Sequence, residues 1–172
     1  VNSLEWTDYG QWVGGVLQFN LFLTVNNTTS PIPIATFQSG DSTFIQSVLN
    51  NFYTDGNFCY VIEAIEGPGN PYFFRDTSRS NEVCIVQQPN IFIPNAFHPG
   101  GYFNEIFYPS NAFVSSENYS LRIFNRWGEV VFETTDPKAG WDGTYKSRYA
   151  PEAVYIYLLK TVQPDGTEIV RK

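Results

Sequence analysis

Few residues of this 172-residue chain combine the types and spacing that catalysis needs. His98 is the only imidazole, and it precedes Pro99 in a glycine-rich turn, which indicates an exposed loop residue. Asp136 and Asp142 could form the carboxylate pair of a glycosidase, but both lie in predicted turns, where aspartate is common for backbone reasons. The sequence has no nucleophile-elbow, phosphate-loop or zinc-protease motif. We therefore expect no catalytic residues, no cofactor and no enzymatic activity.

The cysteines offer a second kind of chemistry. Cys59 and Cys84 are the only two, and they lie on two predicted strands of the first half. If these strands are neighbours, a cross-strand disulfide is sterically reasonable, and it implies an oxidising compartment outside the cytoplasm. Two buried free thiols are the alternative. Two cysteines and one histidine are too few for a four-ligand zinc site, and we expect no metal.

Composition and charge exclude several classes of function. A net charge of −7 with only 10 basic residues argues against binding to a nucleic acid backbone. Aromatic residues make up 17% of the chain, so it can bury a large core and still expose some rings. No apolar run is long enough for a membrane helix. Because the chain begins without a signal peptide and contains no methionine, we expect it to be part of a longer, processed polypeptide.

The charge is unevenly distributed along the chain. Residues 1–89 carry eight acidic and two basic side chains, a balance of −6, whereas residues 90–172 carry nine and eight, a balance of −1. This break predicts two domains, residues 1–88 and 89–172, each the size of a small β-sandwich. The boundary is expected at Gln87-Gln88-Pro89-Asn90.

Strand patterns dominate the first half. Residues 15–25 alternate with period two and end at Asn26-Asn27, a pair that tolerates a left-handed backbone. Residues 59–66 alternate in the same way, and residues 82–86 form a third short strand. Residues 42–51 have some helical character, but their β-branched residues and the lack of a cap favour a strand or a short turn.

The second half has the same strand-rich character. Residues 119–124 and 129–133 flank Asn125-Arg126-Trp127-Gly128, which predicts a tight hairpin with glycine at a position of positive φ. Residues 153–162 form a strand that is apolar on both faces, so it is either central in a sandwich or covered by a partner. The predicted fold class is all-β, with two consecutive small immunoglobulin-like β-sandwich domains.

Exposed aromatic rings favour binding over catalysis. Trp127 and Trp141 stand at predicted turns, where a tryptophan either stacks on a sugar, anchors a protein partner or folds back over the end of the sandwich. Further rings near predicted loops form an excess that a monomer would struggle to bury. These rings are Phe103, Phe107, Tyr108, Phe113 and Tyr149.

The second half also carries motifs in a recognisable order. These are Ile93-Pro94-Asn95-Ala96-Phe97, then Asn125-Arg126-Trp127-Gly128, then Gly140-Trp141-Asp142-Gly143-Thr144-Tyr145, then Ala150-Pro151-Glu152. Over about residues 90–172 the series resembles the gliding motility-associated C-terminal domain, the type B sorting domain of type IX secretion cargo. The chain departs from that family at residues 98–103, where a different turn stands, and the family tends to continue beyond the position of Lys172.

This resemblance implies a folded secretion signal. Such domains are small β-sandwiches recognised by the outer-membrane translocon and its barrel-shaped shuttle protein, and type B members stay at the cell surface, outer-membrane associated. Many cargoes are adhesins, some of them moved in gliding. The residues expected to form the signal or partner-binding motif are Pro94, Asn95, Phe97, Asn125, Arg126, Trp127, Gly128, Trp141, Asp142, Gly143, Tyr145 and Pro151. Our hypothesis is that residues 125–128 and 140–145 form or brace the docking surface.

The first half resembles a fibronectin type III or immunoglobulin-like domain, for which we expect a spacer role. The resemblance rests on residues 59–64 and 80–84 as its last two strands and on Leu4-Glu5-Trp6 as an early strand, so a first strand is expected upstream of Val1. The alternative function for the chain is a carbohydrate-binding or adhesive module, with Trp141, Tyr155 and Tyr157 as its platform. No nucleic acid partner and no direct membrane span are expected.

Overall fold

The computed structural model describes residues 1–52 and 54–172. By its contacts the chain divides into two compact units. Unit 1 comprises Val1–Asn50 and Asn57–Gln87, and unit 2 comprises Asn51–Gly56 and Gln88–Lys172. The all-β fold class is confirmed: within the described part of the chain, the one helical element is a 3-10 turn at Leu49–Asn51. No helix among these residues is long and apolar enough to cross a membrane.

Unit 1 is built on two long antiparallel strands. Its strands are β1 (Asn2–Glu5), β2 (Val16–Val25), β3 (Thr28–Thr29), β4 (Ala35–Gln38), β5 (Thr43–Gln46), β6 (Asn57–Glu66), β7 (Thr77–Arg79) and β8 (Val83–Val86). β2 pairs with β6 along its whole length, β3 and β4 extend the sheet beside β2, and β7 and β8 pair with β6. β1 and β5 form a separate antiparallel pair. The core lies on the inner face of β2 and β6, where Phe19, Leu21 and Tyr60 are buried.

The strand predictions hold for unit 1, although burial does not alternate strictly, since three consecutive residues are buried on each of the two long strands. The three predicted strands correspond to β2, β6 and β8. Asn26 and Asn27 connect β2 to β3 with φ values of 50° and 58°, as expected for a left-handed turn pair. The segment at 42–51 forms β5 followed by the 3-10 turn, so the expectation of a strand or short turn is also confirmed.

The two cysteines are joined in a disulfide. Cys59 on β6 lies directly opposite Cys84 on β8 in the antiparallel register, and their sulfur atoms are bonded. The alternative of two free thiols is therefore excluded. The carboxylate of Glu82 lies close to both sulfurs, but sulfurs in a disulfide do not ligate a metal as thiolates do.

Unit 2 has one four-stranded sheet and shorter strand pairs. Its strands are β9 (Asn90–Phe92), β10 (Ser110–Ala112), β11 (Ser120–Phe124), β12 (Val130–Thr134), β13 (Thr144–Tyr145), β14 (Arg148–Tyr149), β15 (Ile156–Val162) and β16 (Glu168–Arg171). The sheet has the order β12-β11-β15-β16, while β9 pairs with β10 and β13 with β14. The core packs against one face of the sheet, around Leu121, Ile123 and Leu159.

The strand predicted at 153–162 begins at Ile156 instead. Pro151 has no amide hydrogen to donate to a strand partner. Its carbonyl accepts a hydrogen bond from the Tyr155 hydroxyl at 2.7 Å, and residues 152 and 153 between them form a bend. β15 is central, between β11 and β16, but only one of its faces is buried. Leu159 on the inner face is fully buried, whereas Ile156 on the other face is 60% exposed.

Candidate functional site

The motif residues of unit 2 converge on one buried tryptophan. The Trp141 side chain is 2% exposed, and its ring lies 5.3 Å from that of Phe97 and 4.9 Å from that of Tyr155, measured between centroids. Its backbone exchanges two hydrogen bonds with Phe107, at 2.8 and 3.0 Å. Its indole Nε1 donates to the Thr144 carbonyl oxygen at 2.8 Å. Trp141 is thus the point at which distant motifs are packed together.

Two glycines allow this close packing. A Cβ on Gly140 would lie 2.5 Å from Ile106 Cγ2, and one on Gly143 would lie 2.4 Å from Pro99 Cγ. Gly143 also has a φ of +81°, a conformation that favours glycine. Any side chain at either position would displace the loop that follows β9.

Asp142 shapes the turn between these glycines and Tyr145. Its Oδ1 accepts hydrogen bonds from the Thr144 hydroxyl at 2.7 Å and from the Thr144 amide at 2.8 Å. Both bonds favour the ionised carboxylate, and they lower the pKa of Asp142 below its usual 3.8. The role of Asp142 here is to hold the 140–145 turn.

The proposed sugar platform on Trp141 is wrong. The Trp141 ring is covered by the core, so neither of its faces can stack on a ligand. Tyr155 and Tyr157 are partly buried and pack against the same cluster. Of the three possibilities for a tryptophan at this turn, the structure shows for Trp141 the one in which the ring folds back into the end of the sandwich.

The expectation of many exposed rings is only partly correct. Phe107 and Phe113 are buried, at 9% and 8% exposure. Phe107 belongs to the core cluster around Trp141, and the Phe113 ring lies 5.7 Å from that of Phe52, measured between centroids. Tyr108 is partly buried. Phe103 and Tyr149 are exposed, at 88% and 66%.

The 125–128 hairpin presents the other tryptophan to solvent. Asn125 Oδ1 accepts hydrogen bonds from the backbone amides of Trp127 and Glu129, both at 3.0 Å. Gly128 has a φ of +80°, as the hairpin prediction required. Trp127 is 78% exposed, and the Arg126 guanidinium carbon lies 5.2 Å from the centroid of its ring. The turn therefore holds an exposed tryptophan with a cation over one face.

Glu129 connects this hairpin to the neighbouring turn. Its Oε1 accepts a hydrogen bond from the Tyr145 hydroxyl at 2.5 Å and forms an ion pair with Lys146 Nζ at 3.1 Å. Its Oε2 accepts from Asn125 Nδ2 at 3.0 Å. Neither Glu129 nor Lys146 was among the predicted site residues. The sequence signal that could have identified Glu129 is its position directly after the four-residue turn 125–128.

The remaining predicted residues have supporting positions. Asn95 is exposed and Pro94 partly buried, and both lie on the segment that leads from β9 to Phe97. Asn104, outside the predicted set, fixes that segment because its Nδ2 donates to the Ala96 carbonyl at 2.7 Å. Pro151 is exposed, and its carbonyl accepts the Tyr155 hydroxyl. The structure therefore brings most of the predicted residues together in a buried node around Trp141 and an exposed tip at 125–128, whereas Asn95 and Pro151 are exposed elsewhere.

The hydrogen bonds to Glu129 give a testable pH dependence. The Tyr145 hydroxyl, and after it Lys146, lower the pKa of the Glu129 carboxyl below its usual 4.5. A lowered pKa in the folded state means that this link stabilises the fold at neutral pH and is lost as the pH falls through the folded value. In a carboxyl-carbon NMR titration, Tyr145→Phe should raise the pKa of Glu129. An unchanged titration in that variant would contradict the assigned link.

Residues 87–171 match the model of the CHU_C type IX secretion signal domain. This segment is a domain of that family. The match begins one residue before the second segment of unit 2 and includes the 125–128 hairpin, the 140–145 turn and the buried node around Trp141. It confirms the recognised resemblance to a type IX sorting domain. No curated protein and no solved structure matches the chain.

The CHU_C match supports the interpretation that the protein is a cargo of type IX secretion. A cargo of this system is a secreted protein that interacts with the secretion machinery. The disulfide of unit 1 is consistent with this, because such bonds persist in oxidising compartments.

Proposed function

We propose that the CHU_C domain acts as a folded signal, read by the outer-membrane translocon and its barrel-shaped shuttle protein, and that it retains an adhesin-like cargo at the cell surface. The single observation that carries this proposal is Trp127, 78% exposed at the tip of a hydrogen-bonded hairpin. Tryptophan and arginine are enriched among residues that dominate binding energy at protein interfaces. Arg126 and Trp127 present both on one turn.

The rigidity of this tip supports recognition of the folded state. The Asn125 side chain accepts a hydrogen bond from the Glu129 amide within the hairpin, and the Glu129 carboxylate accepts one from the Tyr145 hydroxyl of the neighbouring turn. That turn is held in place by the buried Trp141 node. A side chain that is already ordered loses less conformational entropy on binding. The buried motif residues then serve the signal by positioning the exposed ones.

We also propose that residues 1–88 form a separate spacer domain and that the chain is not an enzyme. The absence of enzymatic activity is supported by the two aspartates considered for catalysis, because each stabilises a turn through hydrogen bonds. Asp136 Oδ1 accepts the Lys138 amide at 2.8 Å, and Asp142 Oδ1 accepts two groups of Thr144. Each carboxylate thus has a structural role that accounts for its presence.

Replacing Trp127 with alanine should prevent export without unfolding the domain. Since the ring is exposed, we expect the free energy of unfolding to change by less than about 0.5 kcal/mol. Loss of a central anchor costs about 2 kcal/mol or more of binding energy, which is a reduction in affinity of more than tenfold. Export is measured as surface or medium fluorescence of a reporter fused to the 172-residue chain.

Tyr102 provides the matched control, because it is 99% exposed and lies in the same unit. Tyr102→Ala should leave export at the level of the unmodified chain. Normal export of the Trp127→Ala variant would overturn the role of the hairpin. An equal loss in both variants would show that exposed aromatic area in general, and not this tip, is required.

A further inference from the structure

A short segment from the first half of the sequence belongs to the folded body of unit 2. Asn51–Gly56 lies between β5 and β6 in the sequence, yet its contacts group it with Gln88–Lys172. The CHU_C match begins at residue 87 and does not include this segment. Unit 2 is therefore larger than the family domain that the sequence carries.

The segment contacts Phe113 of the same unit through both backbone and side chain. The Phe113 amide donates a hydrogen bond to the Phe52 carbonyl oxygen at 2.7 Å. The two rings pack edge to face, with centroids 5.7 Å apart and planes at 68° to each other. Phe113 is only 8% exposed, so water has little access to its amide or its ring. Loss of the segment would take this acceptor from a buried amide, which is costly.

The backbone of Phe113 needs contacts of this kind. Its φ is 59°, in the left-handed region that bulky side chains rarely adopt. Such a conformation persists only where the surrounding structure holds it. Phe113 directly follows β10, and the next residue, Val114, is 4% exposed and lies in the core cluster with Leu121 and Leu159. Phe52 thus supports the chain at the point where it leaves β10 and enters the core of unit 2.

The segment is itself an ordered turn. The hydroxyl and the amide of Thr54 both donate to the Asn51 carbonyl oxygen, at 2.8 and 3.2 Å. The Gly56 amide donates to Thr54 Oγ1 at 3.3 Å, and Gly56 has a φ of 82°, a conformation that favours glycine. Because these bonds restrict the turn, less conformational entropy is lost when Phe52 packs on Phe113.

We propose that Asn51–Gly56 is an integral part of the folded export signal and that Phe52 is a positioning residue within it. This inference rests on the proposed function and extends the signal beyond the residues of the CHU_C match. The spacer role proposed for residues 1–88 then applies to the remainder of that range. Phe52 acts through Phe113 and contributes to the signal by fixing the chain that enters the core.

Phe52→Asp in the 172-residue protein tests the proposal, because a carboxylate cannot replace the ring against the buried Phe113. Hydrogen exchange of the β11 and β15 amides should become about tenfold faster, the size expected when an aromatic pair and its apolar area are lost. The β2 amides of unit 1 should keep their rates. Export of a fluorescent fusion should fall several-fold, because a stability loss of this size changes the abundance of a protein in cells to that extent.

Two further variants separate the ring from the charge. Leu49→Asp is the matched control, since it introduces the same charge just before the segment, at a side chain that is 65% exposed. It should leave both exchange in unit 2 and export unchanged. Phe52→Tyr keeps the ring, and because Phe52 is 38% exposed there is room for the added hydroxyl. This variant should match the unmodified protein in both measurements.

Unchanged exchange of the β11 and β15 amides in Phe52→Asp would overturn the proposal, whatever its export. Faster exchange with normal export would also overturn it, because the segment would then belong to the fold and not to the signal. An equal effect of Leu49→Asp would show that the added charge, and not the lost ring, is responsible. If the unmodified chain is not exported, the proposed function itself fails, and the exchange result still decides whether the segment completes unit 2.

Discussion

Replacing Trp141 with alanine is expected to lower the free energy of unfolding of unit 2 by about 3–5 kcal/mol, the range for a large buried aromatic side chain. The ring is 2% exposed and contacts both Phe97 and Tyr155. The variant also loses the hydrogen bond from Nε1 to the Thr144 carbonyl oxygen. Because small domains are stable by only about 5–15 kcal/mol, this loss is a large share of the total. Urea denaturation followed by circular dichroism measures it.

Trp127→Ala is the matched control for this experiment. It removes the same side chain from an exposed position, so the unfolding midpoint should stay where it is in the unmodified protein. Both tryptophan variants should fail in export, one through unfolding and the other through loss of an exposed anchor. If Trp141→Ala is as stable as the unmodified protein, the buried node does not organise unit 2.

Removing the disulfide is expected to have the second largest effect, on unit 1. The bond between Cys59 and Cys84 joins residues 25 positions apart, and in the chain-entropy model a loop of this size contributes about 3 kcal/mol. It also covalently links β6 to β8. Replacing both cysteines with alanine should therefore lower the free energy of unfolding of unit 1 by about that amount.

Reduction provides an independent check on the same bond. Cys84 is exposed, so dithiothreitol has access to it. The reductant should lower the unfolding midpoint of the unmodified protein and leave that of the double-alanine variant unchanged. Equal midpoints with and without reductant in the unmodified protein would mean that the cross-link does not contribute to stability.

The long strands could be predicted because their pattern is local. β2 and β6 are ten-residue segments rich in apolar and aromatic residues, and Asn26-Asn27 and Gly128 mark turns in residues that tolerate positive φ. The β13–β14 hairpin was not predicted, because its turn uses Lys146 and Ser147 at φ values of 51° and 64°. Turns of this kind usually contain glycine or asparagine, so these two residues gave no signal.

The sequence predicted which residues belong to the candidate site, but not which of them are buried and which are exposed. Trp127 and Trp141 looked alike as tryptophans at turns, yet one is exposed and the other is buried. What buries Trp141 is contact with Phe97 and Phe107, whose positions depend on a long-range fold and not on local spacing.

The central claim is that this folded domain directs export, and a reporter assay tests it most directly. The 172-residue chain is fused behind a signal peptide and a fluorescent protein and expressed in a host with a working type IX system and in a translocon-deficient strain. We expect fluorescence at the surface or in the medium of the competent strain only. Retention in the periplasm of both strains, with the fusion shown to be folded, would contradict the claim that this domain is a secretion signal.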